Sequence, residues 1–336
     1  MSPCPLGPSE SPTIETMAAL SDRLLDSLVP LRNVRAENLD PVWNAEVEAW
    51  RPLHWDFRPS ADLVRRFCAM QALEGFVLIV DGETVGFCYS VAEEDKGLVG
   101  DLFILPKFRT GERENLLLEA TLRNMWRAPG LNRVEAQLLM LSDPLSRQVP
   151  DRSWFQAFER EFLELRMDRI GYLPSRDAQG ARITGWSDSR QDDAARLIAL
   201  SYKGHIDAQI NDQYRSPAGA RRFLTNIVQY PGCGAFYAPA SFVALDRIGH
   251  GLCGICLASM VSDEAGHITQ VCVSPAHRGS GLGYELVRRS LSGLADRGAR
   301  TVSLTVTSAN SGAIRLYRNM GFQTTRNFAA YVWEKP

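Results

Sequence analysis

The sequence lacks several things whose absence narrows the field. No run approaches the ~18 consecutive apolar residues that a membrane-spanning helix needs. No charge of one sign dominates. The 336 residues hold 37 basic and 39 acidic side chains, for a net charge of −2. That balance excludes the electrostatic footprint of a nucleic-acid or anionic-membrane binder. The opening MSPCPLGPSESP has neither a basic stretch nor an apolar core, so a signal peptide is not expected. Residues 1–30 are expected to be a Pro/Ser-rich leader, with a short amphipathic helix over about 13–28. A disulfide framework is also missing. Seven cysteines (Cys4, Cys68, Cys88, Cys233, Cys253, Cys256 and Cys272) are scattered and odd in number, as expected of reduced thiols in a cytoplasmic protein. Cys253 and Cys256 have the spacing of a zinc half-site, but no second Cys or His pair completes it. A buried strand is expected there, and no metal.

What is present is one plan, twice. In the first half FVLIVDGETVGFCYSV reads as two strands about Asp81-Gly82, a hairpin signal. A strand ending LFILP follows, then an arginine, then a helix. In the second half SFVALD and GLCGICLASMV form the pair, and ITQVCVSP, an arginine and a helix follow. Gly86 matches Gly254, Pro106 matches Pro275, and Arg109 matches Arg278, at an offset of 168 or 169 residues. The expected fold is α/β: two tandem units, over 31–174 and 182–336, each a twisted mixed, mainly antiparallel sheet flanked by helices. The boundary lies in the Pro- and Gly-rich 172–181. A last strand of the first unit is expected over 163–170. In the second unit, strands are expected over 182–186, 301–307, 322–325 and 328–334. Helices are expected over 188–202 and 217–230. Leu282, Leu286, Leu291 and Leu294 mark a further helical stripe, and Asn310 caps a last helix.

The richest segment is ITQVCVSPAHRGSGLGYEL. A strand ends at Val273, Pro275 breaks it, and a Gly-rich turn opens a helix. Unpaired amides and the positive helix end make Arg278, Gly279, Ser280, Gly281, Leu282 and Gly283 a candidate pyrophosphate cradle. The plain alternative is a tight strand-to-helix turn. Two nucleotide motifs fail: no Lys-Ser/Thr follows Gly283, as a P-loop requires, and Leu286 stands where a dinucleotide fingerprint has its third glycine.

Arg278-x-x-Gly281-x-Gly283 after a strand and a proline resembles the acetyl-CoA signature of the GNAT superfamily of N-acetyltransferases. Asn310-x-x-Ala313-x-x-x-Tyr317-x-x-x-Gly321-Phe322 resembles that family's later helix. The resemblance covers about 182–336; over about 33–174 it is one of layout alone. It implies that the cradle amides bind the CoA pyrophosphate, and that Val271, Cys272 and Val273 offer backbone groups to the pantetheine arm and acyl carbonyl. It also implies that Asn310, with Ala313 on the same turn, contacts the arm, and that Tyr317 protonates the departing thiolate.

Acyl transfer to an amine needs deprotonation, oxyanion stabilisation, thiolate departure and alignment. Tyr317, protonated at pH 7, suits the acid role; a buried core tyrosine is the alternative. The Val273 amide is the expected oxyanion donor. His267 is a candidate base, or else a solvated strand-entry residue; a water relay needs no single base. On a regular strand, Gln270 would face away from His267. KGHIDAQINDQYRS, with His205, Asp207, Asn211, Asp212 and Tyr214, is the candidate acceptor site, or a hydrated loop. In the first copy Glu112 and Glu114 stand opposite Gly281 and Gly283, adding bulk and like charge, so that copy is expected to be degenerate. The expected function is transfer of an acetyl or short acyl group from CoA to a primary amine of a small molecule or protein. The alternative is a non-catalytic acyl-CoA-binding sensor. An aminoacyl-tRNA donor fits the balanced charge poorly.

Overall fold

The computed structural model describes residues 26–93, 95–144, 149, 152–168, 173–178, 180–230 and 232–335. The leader helix expected over 13–28 lies outside them up to residue 25, and Asp26–Pro30 is a strand, β1, paired with the next. Helices α1 (Asp40–Trp50) and α2 (Arg58–Ala69) follow. Strands β2 (Glu74–Val80) and β3 (Glu83–Glu93) meet at Asp81 and Gly82, whose φ of 51° and 81° suit the type I′ turn that matches strand twist. Strand β4 (Lys96–Ile104), helix α3 (Gly111–Met125), β5 (Arg133–Gln137) and β6 (Phe155–Arg166) complete the first half. The second half runs β7 (Ala181–Gly185), α4 (Gln191–Tyr202), the single turn α5 (Asp207–Ile210), α6 (Pro217–Gln229), β8 (Ala235–Phe236), β9 (Phe242–Asp246), β10 (Leu252–Ser262) and β11 (Ala265–Val273). It ends with α7 (Leu282–Asp296), β12 (Thr301–Thr307), α8 (Ser311–Asn319) and β13 (Gln323–Glu334).

All the strands join one sheet in the order β1-β2-β3-β4-β5-β13-β6-β12-β11-β10-β9-β7, with β8 on β10. The pairs β4–β5 and β11–β12 are parallel and the rest antiparallel, the mixed, mainly antiparallel sheet expected. The leucine stripe of α7 is fully buried against β10 and β11, each side chain contributing roughly 1.5–3 kcal/mol. Cys253 and Cys256 lie buried in β10, their thiols raised by burial to about 11 and about 12.

The sequence reading misplaced the last strand of each half. The strand expected at 163–170 starts at Phe155 and pairs with β12 of the second half, Arg166↔Thr301 through Arg160↔Thr307. The two short strands expected over 322–334 are one, broken by a bulge near Thr325. It lies between β6 and β5 of the first half. Alternation sets which face of a strand is apolar and not which neighbour it takes, so the exchange left no mark in the pattern. Its effect on packing is large. Leu163 and Leu165 of β6 join the core beneath α7, while Ala329, Tyr331 and Trp333 of β13 join the core beneath α3.

The internal repeat extends to fine geometry. Thr269 is an extra residue in β11, between Leu257↔Gln270 and Ala258↔Ile268. Gly100 is the extra residue of β4, between Tyr89↔Asp101 and Ser90↔Val99. Beyond the bulge, Ser274 N–H donates to Cys253 O at 2.8 Å, and Leu105 N–H donates to Val85 O at 2.8 Å.

Because each half completes the other's core, the chain is expected to unfold in one cooperative calorimetric transition, with calorimetric and van't Hoff enthalpies equal. Two resolved transitions would show that the exchanged strands do not couple the halves.

Candidate active site

The site begins at the Thr269 bulge. Pairing of β11 with β12 runs from Ala265↔Thr301 to Ile268↔Leu304 and stops there, so the two strands diverge. Past the bulge, the Ser274 amide points toward β10. By alternation, the amides of Val271 and Val273 face the opened gap. The bulge also turns Gln270 to the face of His267, against the expectation for a regular strand.

At the end of β11, residues 275–277 make a short turn, and Gly279 and Gly281 follow with φ of 77° and 84°. Gly281 is the N-cap of α7, and no side chain caps the helix. Among the described residues, no acceptor takes the amide protons of Gly279, Ser280, Gly281, Leu282 or Gly283. Left-handed glycines and a helix N-terminus thus aim a row of free donors outward, the arrangement that suits phosphate.

These amides border a cleft of about 570 Å³. Val271, Cys272, Val273, Arg278, Gly279, Gly281, Leu282, Gly283, Asn310, Ala313 and Tyr317 all line it, with His205. Ser280 turns its hydroxyl onto His277 O. Arg278 Nη2 donates to Ser201 O at 2.7 Å, at the end of α4. Asn310 Oδ1 accepts from the Ala313 amide at 3.2 Å, capping α8 as expected. Tyr317 is 8% exposed, and burial pushes its hydroxyl pKa up, so it stays protonated at neutral pH.

A second cavity, of about 230 Å³, adjoins the first through Tyr202, Val271, Asn310, Ala313 and Tyr317. Asp207, Asn211 and Tyr214 line it, as do His267 and Gln270. Tyr214 Oη donates to Gln270 Oε1, and Gln270 Nε2 donates to Tyr202 Oη, which bonds Val271 O. Two sequence expectations fail here. His267 is not a solvated residue, nor a base of ordinary strength. It is packed against Trp55 and Phe162, its Nδ1 is 2.9 Å from Ser303 Oγ, and burial lowers its pKa to about 3. Asp212 lines neither cavity. It pairs with Lys96, and its amide donates to Glu135 of the first half.

Other lining residues were not foreseen. Arg176 stacks over the Tyr284 ring at 4.4 Å, beside Gly281, held by its own amide on Glu285 and by Tyr284 Oη on Pro174 O. Glu285 is buried, which would raise its pKa, but hydrogen bonds from Arg288, the Arg176 amide and Arg289 bring it to about 2. Gln137 and Arg160 of the first half reach the second cavity. Among the described residues, no helix is long and apolar enough to cross a membrane, and no cluster of His, Cys, Asp and Glu is set to hold a metal ion.

The model of the Acetyltransferase (GNAT) family matches residues 209–322. A Bacillus subtilis (strain 168) protein, provisionally named a ribosomal protein bS18-alanine N-acetyltransferase, is 34% identical over 130 residues, 39% of this chain and 80% of that protein. The chain belongs to the GNAT family of acetyltransferases. A mycothiol acetyltransferase of Thermobispora bispora is 26% identical over 254 residues, 74% of this chain and 79% of that protein. A solved tandem GNAT protein from the clavulanic acid biosynthesis pathway superposes with a TM-score of 0.61 at 16% identity, covering 92% of this chain and 98% of that one. Membership makes this an N-acetyltransferase enzyme of a family that uses acetyl-CoA.

The two GNAT copies differ at the cradle. In the first, Thr110 caps α3 by accepting from the Arg113 amide at 3.2 Å, and the helix already begins at Gly111. Glu114, opposite Gly283, is fully buried. Its carboxylate accepts from Arg109 Nε at 2.7 Å and Ser142 Oγ at 2.6 Å. Arg109, the counterpart of Arg278, is therefore engaged by an internal anion.

Gly281→Glu is expected to weaken acetyl-CoA binding at least about tenfold while the fold persists. A side chain there is strained at φ 84° and sets like charge beside phosphate. Calorimetric titration reads this; unchanged affinity would reject the cradle.

Proposed function

We propose that residues 182–336 form the catalytic unit, that 31–174 is a degenerate copy completing the acceptor side, and that the enzyme moves an acetyl group from acetyl-CoA to a primary amine. The observation that carries this is the adjacency of three things: the free amides at Gly279–Gly283, the Tyr317 hydroxyl, and a second polar cavity beyond it. The cradle takes the pyrophosphate, with Arg278 and Arg176 supplying positive charge. The gap edge of β11 holds the pantetheine arm, and Asn310 and Ala313 bound it from the other side. The Val273 amide, free of a strand partner, donates to the carbonyl oxygen as charge develops there.

The amine enters from the second cavity. Asp207 is the acidic side chain lining it, and it accepts the amine's proton. Nitrogen then bonds to the acyl carbon, the carbon–sulfur bond breaks, and Tyr317 gives its proton to the leaving sulfur. Among the described residues nothing hydrogen-bonds the Tyr317 hydroxyl, so the donor is available. A cavity of about 230 Å³ lies below the usual ~300–1,000 Å³ of drug-sized sites. It fits a small amine or one terminal residue of a protein. The relatives named above are called acetyltransferases of both kinds.

Tyr317→Phe keeps the ring and removes the proton donor. A fall in kcat of ~10²–10⁴-fold, with acetyl-CoA affinity nearly kept, is expected in a thiol-release assay. A kcat within about twofold of the parent would reject the acid role.

A further inference from the structure

The geometry points to an acceptor that is a small amine carrying an oxyanion, held by Arg160; this rests on the acetyl-transfer reading above. Arg160 stands on β6, the strand that the first half lends to the second, and its side chain lines the second cavity and not the first. Nη1 donates to Gln137 Oε1 at 2.8 Å and Nη2 to Thr305 Oγ1 at 3.3 Å. Both partners are neutral. A guanidinium has five donors, so most of its capacity is unused, and Nε is buried without a partner. No carboxylate of the described residues lies within ion-pair distance of it. This part-buried cation also lies over the Phe328 ring at 5.8 Å, but no negative charge is paired with it, and an incoming anion is its natural complement.

The opposite charge lines the same cavity. Asp207 accepts from Thr307 Oγ1, and its Oδ2 is 3.6 Å from His205 Nδ1, beside the cleft that holds the thioester. Thr307 is the strand partner of Arg160. Directly opposed residues keep their side chains on one face, with Cβ atoms about 5 Å apart. The cavity wall thus carries both signs of charge, negative at Asp207, whose neighbour His205 lines the first cleft, and positive at Arg160. An ammonium at Asp207 and a carboxylate or phosphate at Arg160 match that polarity, and their separation suits a short aminocarboxylate or aminoalkyl phosphate.

The test pairs each anionic amine with a neutral twin. The full-length enzyme is assayed with acetyl-CoA and α-amino acids, β-alanine and 4-aminobutyrate against their methyl esters, and with phosphoethanolamine against ethanolamine. The expected result is at least one pair in which kcat/KM favours the anion about 100-fold; which class of pair responds tells carboxylate from phosphate. Arg160→Gln, which keeps hydrogen-bonding capacity toward Gln137 and Thr305, should cut that preference below about threefold with acetyl-CoA affinity unchanged. Arg160→Lys should restore part of it. Equal turnover of both members in every pair, or an equal loss for both members in Arg160→Gln, would overturn the inference. So would the absence of turnover across the panel by enzyme that still binds acetyl-CoA. Failure to bind acetyl-CoA at all would instead sink the acetyl-transfer reading.

Discussion

Strand β6 leaves the half of the chain that encodes it and pairs through Arg160–Arg166 with the whole of β12, while β13 returns to lie between β6 and β5. Most else in the molecule depends on this exchange. It fuses two sheets into one and interleaves two cores, so that Leu163 and Trp333 each complete packing begun by the other half. It also places Arg160 and Gln137 in a cavity whose other walls come from the second copy. A duplicated unit that had kept its own last strand would carry neither side chain there. The first copy is then more than a brace: it supplies part of the second cavity's wall.

Within that frame the two copies share a backbone and differ in what their cradles face. Both bulge at the same strand position, and both let the parallel pair diverge soon after. In the second copy the divergence opens onto free amides and a left-handed glycine turn. In the first, a threonine cap and the buried Glu114 close the corresponding turn from inside. The sequence alignment anticipated a charge clash with phosphate. In the structure Glu114 instead turns inward and engages Arg109, the counterpart of Arg278.

The glycine turn was legible because its left-handed backbone suits few residue types besides glycine, and those residues are contiguous. The Asn310–Tyr317 helix was legible for a related reason, since a cap and a seven-residue interval fix one face. His267 was misread because its setting is tertiary: Trp55 arrives from the first half and strips the ring of water. The Gln270 orientation turned on one extra residue, Thr269, that periodicity cannot show. Arg160 lay unremarked in an alternating strand, since nothing local says which sheet that strand joins. Arg176 escaped for the same reason, placed by contacts with Tyr284 and Glu285 more than a hundred residues away.

The central claim is that duplication left one working acetyl-CoA site, built on the second copy and walled by the first. Native mass spectrometry of the intact chain at saturating acetyl-CoA counts the ligands directly. The account predicts one per chain. Two per chain would contradict it, because the Glu114-filled turn of the first copy would then be a second cradle.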